Sequence, residues 1–388
     1  MNSGNNLLRP EAMSYYERIL TSDFRFQELE DSEKKVIGVF CNFVPLEIIY
    51  ALDCIPVRLC AGDFSAVRLG EEIYPRDICP LVKSSLGLFH AQEGLFKYCD
   101  LIILPAPCDA KKKMFEILKE EIPTVLLELP HENTIEHLGD FIWGIKKLVR
   151  ELEKFCGVPL ERKRLHRAIE SVREVQEDFR ELHSIRKNSP SPITGRDYML
   201  VYQASFFDDL KRWARNTGVL CRELHRNNQM ASKESGETRI LLSGAPLIWP
   251  NFKLLDIIEE AGSKVVADEL CSATRWLYDL VEVDEFSFEG MLEALCARYL
   301  LPSVCPCFLK SDNRTERLLA LYKEFNCDGI IYHSLRLCQL HDIDSVKIKK
   351  LLKGKDIPFL QIYTDYSQED QEQIKIRIEA FMEILKKR

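Results

Sequence analysis

Short runs of consecutive apolar residues alternate with helix-periodic segments in two stretches of the chain, residues 36–132 and 238–388. The runs are rich in β-branched and aromatic residues, which is typical of strands buried on both faces of a parallel sheet. The segments between them carry apolar residues at helical spacing. Each stretch therefore predicts an α/β domain with a parallel sheet. The predicted strands lie in VIGVFCNF (36–43), IPVRLC (55–60), DLIILPAPCD (100–109), PTVLLEL (123–129), TRILLSGAPL (238–247), SKVVADELC (263–271), CDGIIYHSLRLC (327–338) and IPFLQIYTDYS (357–367).

The other segments are charged or polar and predict helices. Residues 1–35 form an N-terminal helical segment, and residues 133–237 form a helical region that ends in the polar linker NNQMASKESGE (227–237). DYMLVYQASF (197–206) is ambiguous, because its apolar residues fit either a strand or a helix. The predicted organisation is thus an N-terminal segment, a first α/β domain over 36–132, a helical region over 133–237 and a second α/β domain over 238–388.

Charge and hydropathy exclude several classes of protein. The 388 residues carry a net charge of −8, so a basic surface for nucleic acid or for an acidic membrane is not expected. No apolar run is long enough to span a bilayer, and the first residues lack the apolar core of a secretory signal. We expect a cytoplasmic protein that binds neither nucleic acid nor membrane.

The chain contains 14 cysteines, and in a reducing compartment such a number favours metal ligation or redox chemistry. Ligands of parallel sheets gather at the carboxyl ends of the strands, so a cysteine just after a strand can reach that edge. Eight cysteines follow predicted strands, begin a helix or lie in the loop motif C-P-C, namely Cys41, Cys60, Cys79, Cys108, Cys271, Cys305, Cys307 and Cys338. Six precede strands or lie in helices and are expected to pack, namely Cys54, Cys99, Cys156, Cys221, Cys296 and Cys327.

The spacing of the eight cysteines leaves two interpretations open. The sequence contains no C-x₂₋₄-C pair, which is the spacing typical of a structural zinc site. Widely spaced cysteines from two domains instead suit an iron–sulfur cluster held between the domains. The other interpretation is that most of them are small buried apolar residues.

Five stretches resemble the D-component family of 2-hydroxyacyl-CoA dehydratases. They are CNFVPLEIIYALDCIPVRLC (41–60), YPRDICPLVKSSLG (74–87), APCDAKKKMFE (106–116), RILLSGAPL (239–247) and IPFLQIYTDYSQEDQEQIKIRIEAF (357–381). The resemblance implies an oxygen-sensitive iron–sulfur protein with two flavodoxin-like (Rossmann-like) domains and a helical region. It also implies that Cys79, Cys108 and Cys338 hold a cubane.

Further cysteines resemble the double-cubane branch of that family. Its members are implied to be homodimers, each chain holding an [8Fe–9S] cluster through six thiolates. Besides the three cubane cysteines, the resemblance keeps Cys60 and Cys271, together with one or both of Cys305 and Cys307, and sets Cys41 aside. An alternative is a single [4Fe–4S] cubane.

The function that the resemblance implies is reduction of a small substrate with low-potential electrons from an ATP-hydrolysing iron–sulfur reductase (activase). No G-x-x-x-x-G-K-[ST] motif occurs here, so the nucleotide is expected to bind the partner. One alternative is a dehydratase subunit, with a different subunit as its partner, that removes water from a hydroxyacyl-CoA through a ketyl radical. Another is a non-catalytic electron-storage or cluster-carrier protein.

A few residues near the candidate cysteines complete the predicted site. Glu47 lies in the stretch that approaches the substrate in the resembled dehydratases, and it is a candidate for proton transfer against the alternative of a surface glutamate. Lys83 and Ser84, one helical turn after Cys79, are candidates for contacts with cluster sulfur, with helix packing as the alternative. The lysines 111–113 after Cys108 either offset cluster charge, dock an acidic partner or form a solvated face.

Overall fold

The computed structural model describes residues 9–22, 24–230, 236–309 and 312–388. Its strands are β1 (Val36–Val39), β2 (Ile55–Arg58), β3 (Leu101–Pro105), β4 (Thr124–Leu127), β5 (Thr238–Gly244), β6 (Ser263–Asp268), β7 (Gly329–Leu335) and β8 (Phe359–Thr364). Its helices are α1 (Met13–Thr21), α2 (Phe24–Glu30), α3 (Leu46–Ala51), α4 (Phe64–Ile73), α5 (Pro80–His90), α6 (Asp109–Leu118), α7 (Leu138–Cys156), α8 (Arg162–Ile185), α9 (Gly195–Ala204), α10 (Leu210–Met230), α11 (Lys253–Glu260), α12 (Thr274–Leu277), α13 (Phe288–Leu300), α14 (Asp312–Glu324), α15 (Gln339–Gly354) and α16 (Gln371–Lys386). Short 3₁₀ helices lie at Gly94–Tyr98 and Ile135–His137.

Two four-stranded parallel sheets carry the same strand order. The first runs β2-β1-β3-β4 and the second β6-β5-β7-β8. Each central strand is fully buried, as the continuous apolar runs predict, because helices cover both faces of such a sheet. The predicted α/β class with two flavodoxin-like sheets and added helices is confirmed.

The chain folds into two compact units, each assembled from separate segments. The β1–β4 unit takes its described residues from Asp23–Gln176 and Tyr278–Arg314. The β5–β8 unit takes them from Met1–Ser22, Glu177–Leu277 and Thr315–Arg388. One of the unit boundaries falls inside helix α8.

The ambiguous and polar segments are mainly helical. DYMLVYQASF forms most of α9, whose residues are all buried apart from Arg196, so its apolar run serves a buried helix rather than a strand. The predicted linker 227–237 begins as the last turn of α10, which ends at Met230, and residues 231–235 lie outside the described residues. Within the described residues, no helix is both long enough and apolar enough to cross a bilayer.

A buried lysine organises the TDYSQED segment of the β5–β8 unit. Lys253 is 4% exposed, and its Nζ donates to the Thr364 hydroxyl at 2.9 Å and the Ser367 carbonyl at 2.5 Å. It also forms an ion pair with Asp370 at 2.6 Å. These bonds satisfy an ammonium that would otherwise be costly to bury, and they fix the chain between β8 and α16.

Candidate functional site

Three of the predicted cysteines lie at one edge of the first sheet. Cys41 and Cys60 come two residues after β1 and β2, and Cys108 comes three residues after β3. These strands are parallel neighbours, so their carboxyl ends share an edge. The strand order reverses between β1 and β3, and such switch points are the usual binding crevices of open α/β sheets.

The backbone at Cys41 adopts a left-handed conformation, with φ of 56°. The buried Arg58 side chain supports this turn, since its Nη1 donates to the Cys41 carbonyl at 2.5 Å and to Asn42 Oδ1 at 2.7 Å. A non-glycine residue rarely occupies this region. The Arg58 bonds therefore hold Cys41 in a defined position just beyond β1.

Cys79 and Cys108 each stand at the N-cap of a helix, α5 and α6 respectively. The free N–H groups and the dipole of a helix N-terminus favour negative charge on sulfur. At Cys108 this is explicit, because the Lys111 N–H donates a hydrogen bond to its sulfur. Both N-caps would thus stabilise a thiolate, although burial raises the pKa of the Cys108 thiol.

Helix α5 is held against α4 by backbone contact. A Cβ placed on Gly87 would lie 1.9 Å from the Ala66 carbonyl oxygen, and one placed on Gly70 would lie 2.4 Å from the Lys83 carbonyl oxygen. Only glycine allows this approach at either position. The crossing fixes α5, and with it the Cys79 N-cap.

Electrostatic interactions show that five thiols of the β1–β4 unit lie together. Burial raises the pKa of the Cys108 thiol, and the Cys79 and Cys305 thiols raise it further. A hydrogen bond with Cys305, together with burial and the nearby Cys41, raises the pKa of Cys307. Because these sulfurs are buried and interact with one another, they cannot all be negatively charged unless a cation binds them. Thiolates are the ligands of iron–sulfur clusters, so this set of thiols fits such a cluster.

Cys271 and Cys338 occupy the matching positions in the β5–β8 unit. Cys271 follows β6, as Cys60 follows β2, and Cys338 follows β7 as the N-cap of α15, as Cys108 follows β3 as the N-cap of α6. Between β5 and β7, Gly244 has φ of 110° and approaches so closely that its Cβ would lie 2.1 Å from the His333 carbonyl oxygen. His333 is buried, with a pKa lowered to about 4 by that burial, and its Nδ1 lies 2.9 Å from the Ala245 carbonyl oxygen.

The six cysteines that were expected to pack lie apart from these positions. Burial raises the pKa of Cys54, Cys221, Cys296 and Cys327 to about 12, and it also raises that of Cys99. The sulfurs of Cys54 and Cys156 are 3.4 Å apart. All 14 cysteines lie in described segments, and none of them forms a disulfide.

The described residues hold no group of three or more His, Cys, Asp or Glu side chains arranged around a single metal ion. A site for a single zinc ion would need its sulfur ligands about 2.3 Å from that ion. The candidate site is therefore the wider group of thiols at the sheet edge.

Glu47 is fully buried rather than on the surface. It lies in the first turn of α3, and its Oε2 accepts a hydrogen bond from the Tyr299 hydroxyl at 2.9 Å. Its Oε1 is buried without a hydrogen-bond partner. Desolvation raises the pKa of this carboxyl group, although Arg298 opposes the effect. Such a group holds a proton to higher pH than an ordinary glutamate.

Lys83 and Ser84 use their polar atoms within the helical layer. Lys83 Nζ is 2.5 Å from Glu71 Oε1 and 2.9 Å from the Arg76 carbonyl oxygen. Ser84 Oγ donates to the Asp63 carbonyl at 3.0 Å. Both side chains connect α5 to α4 and to the segments beside it.

Comparison with known proteins relates this site to a defined family. The sequence profile described as 2-hydroxyglutaryl-CoA dehydratase, D-component, matches residues 41–385. The chain belongs to this family. The match includes all eight candidate cysteines and both sheets, apart from the first strand, β1, which directly precedes it.

Curated relatives of this D-component protein are similar over nearly their whole lengths. YjiM of Escherichia coli (strain K12), whose name describes it as a dehydratase subunit, is 26% identical over 92% of this chain and 93% of its own. The (R)-phenyllactyl-CoA dehydratase beta subunit of Clostridium sporogenes is 23% identical over 92% and 94%. A benzoyl-CoA reductase subunit of Thauera aromatica is 21% identical over 93% and 92%. Dehydratase and reductase subunits thus share this family.

One residue of the D-component site escaped the sequence reasoning, and so did the burial of Lys111. Tyr299, the hydroxyl partner of Glu47, lies far away in the chain on α13 and carries no local signal. The burial of Lys111 has a signal, because it shares one helical face with the buried Met114 and Leu118 at positions i+3 and i+7.

Proposed function

We propose that this D-component protein is an iron–sulfur reductase. It takes low-potential electrons from an ATP-hydrolysing reductase partner and reduces a small substrate at an [8Fe–9S] double-cubane cluster. The observation that carries the proposal is the association of Cys305 and Cys307 with Cys41, Cys79 and Cys108. A single cubane uses at most four cysteines, whereas Cys79, Cys108, Cys305 and Cys307, together with Cys338 as the third cubane cysteine that the resemblance implies, are five.

The proposed ligands combine this group with positions drawn from the family resemblance. Cys79, Cys108 and Cys338 are the cubane cysteines, and all three are helix N-caps. Cys60 and Cys271, with one or both of Cys305 and Cys307, complete the thiolates. Bound to these residues, the cluster would supply electrons one at a time at low potential. The helix N-termini stabilise the thiolates that hold it.

Other residues are assigned to proton transfer and to the positioning of helix α5. We assign to Glu47 the proton delivered to the substrate, because its carboxyl group is buried, has a pKa raised by desolvation and keeps one oxygen without a hydrogen-bond partner. Lys83 and Ser84 support the cluster indirectly by fixing α5, whose N-cap is Cys79.

The protein is proposed to work as a homodimer in the cytoplasm, where a reducing environment keeps its thiols available. The electron donor is a separate protein that binds and hydrolyses ATP. A second candidate function is that of a hydroxyacyl-CoA dehydratase subunit with one cubane and a different partner subunit, which is favoured by the name of the Clostridium sporogenes relative.

The iron content of anaerobically purified protein tests the proposal. The double cubane requires about eight irons per chain and the single cubane about four. Cys271→Ser should halve the iron, whereas Cys54→Ser, a buried thiol outside the group, should leave it unchanged. About four irons in the parent protein would favour the dehydratase subunit, and no iron would refute both.

Turnover tests the catalytic part separately. With reductase, ATP and a small unsaturated substrate or azide, product should form only when this chain is present. Glu47→Gln should lower kcat while iron content stays unchanged. An iron-loaded chain that takes up electrons without turning over any substrate tested would instead be an electron carrier.

A further inference from the structure

Lys111 is a buried cation in the first turn of α6, one helical turn after Cys108. Its side chain is only 4% exposed, whereas the adjacent Lys112 and Lys113 are exposed. The three lysines of the C-D-A-K-K-K segment therefore differ in environment. Only the first of them points into the protein.

The ammonium group of Lys111 has apolar neighbours. Its Nζ lies 3.8 Å from the centroid of the Phe40 ring and 3.8 Å from Met114 Sδ. No carboxylate among the described residues forms an ion pair with it. An aromatic face contributes about 2 kcal/mol when desolvated, which is less than the several kcal/mol that burial of a charge costs. The fold thus holds a positive charge that its own carboxylates do not compensate.

The position of this charge relates it to the thiol group. Phe40, which it covers, directly precedes Cys41, and Lys111 itself follows Cys108 by one turn. The backbone N–H of Lys111 donates to the Cys108 sulfur. The side chain of Lys111 therefore lies beside the segments that carry Cys41 and Cys108, and bound as thiolates these sulfurs would offset its charge.

We propose that Lys111 is the counter-cation of the iron–sulfur cluster and raises its reduction potential. The inference rests on the proposed function, since it needs a cluster at these thiols. Each added electron makes the cluster more negative, so a fixed positive charge nearby stabilises the reduced form more than the oxidised form. The low exposure of the ammonium limits screening by water and salt. Lys111 is thus a positioning residue that acts through its charge on the cluster and touches neither substrate nor reacting atoms.

Redox titration of the loaded protein tests the inference. Lys111→Met keeps the length and apolar contacts of the side chain and removes the charge. At a fixed potential we expect its ratio of reduced to oxidised cluster to fall tenfold, a shift of about 59 mV to more negative potential for one electron. Lys113→Met is the matched control, because Lys113 lies on the same helix but is exposed and pairs with Glu116 at 3.1 Å. Its potential should equal that of the parent protein.

Three variants separate the possible outcomes. A Lys111→Met protein with full iron and an unchanged potential would overturn the inference and leave the proposed function standing. No iron in the parent protein would overturn both. If Lys111→Met and Lys111→Gln lose iron while Lys111→Arg retains it, the positive charge is needed for loading, which supports the inference. Loss of iron in all three would mean that side-chain shape is what matters, against the inference.

Discussion

Substitution of Gly87 by alanine should push α5 away from α4 and disturb the site at its N-terminus. The added Cβ would lie 1.9 Å from the Ala66 carbonyl oxygen, whereas ordinary contact begins at 3.4 Å. The backbone of α4 must therefore retreat by about 1.5 Å, the difference between these distances, because a carbonyl oxygen cannot rotate away as a side chain does. Overpacking of this kind costs up to about 3 kcal/mol, and the better helix propensity of alanine returns about 1 kcal/mol. We expect a net loss of about 2 kcal/mol.

Urea unfolding of the iron-free protein measures this loss, and iron content measures its effect on the Cys79 N-cap. Gly139→Ala is the control, since Gly139 lies in α7 and an added Cβ there meets no atom within 4 Å. That variant should be as stable as the parent or slightly more stable, with full iron. Equal stability and equal iron content in the two variants would refute the proposed coupling between the helix crossing and the site.

Other substitutions test the remaining features. Lys253→Met leaves Asp370 buried without its ammonium partner and should lower the free energy of unfolding by about 3 kcal/mol. The control Lys34→Met, at an exposed pair with Asp53, should change it by less than about 1 kcal/mol. Similar losses in both variants would contradict the role of the buried ion pair. Burial raises the pKa of Glu259 to about 7, so the folded state holds its proton more tightly than the unfolded state. The free energy of unfolding should therefore fall by about 3 kcal/mol as the pH rises from about 4.5 to 7. Glu259→Gln should flatten that pH profile. A variant with the parent profile would show that another group is responsible. The iron content of single Cys305→Ser and Cys307→Ser variants should show which of the two thiols is needed to hold iron, with Cys221→Ser as the control. Full iron in both variants would remove the C-P-C motif from the ligand set.

Much of the sheet architecture is readable from the sequence, because strands buried on both faces form continuous apolar runs. Each strand lies inside the run that predicts it. The same reasoning places helices between these strands but does not give where each helix begins and ends. It also could not give the strand order, which depends on pairing between distant segments.

The candidate site was predicted only in part, for reasons of burial and distance. A cysteine after a strand must lie at the carboxyl edge, so the position of Cys108 follows from the sequence alone. The nearness of Cys305 does not, because its loop reaches the site from almost two hundred residues away. Glu47 reads equally well as a surface residue, since its burial depends on the contact with Tyr299 on a distant helix.

The discontinuous make-up of the two units has a consequence for biosynthesis. The β1–β4 unit requires residues up to 314 and the β5–β8 unit requires residues up to 388, so neither can be completed while the middle of the chain is still being translated. For the proposed cluster to form, the cysteines of the first hundred residues must therefore stay reduced and unreacted until C-P-C emerges from the ribosome. Assembly of the proposed cluster would thus come after most of the chain has been translated, and a truncated chain that ends before residue 300 would expose thiols without the C-P-C motif.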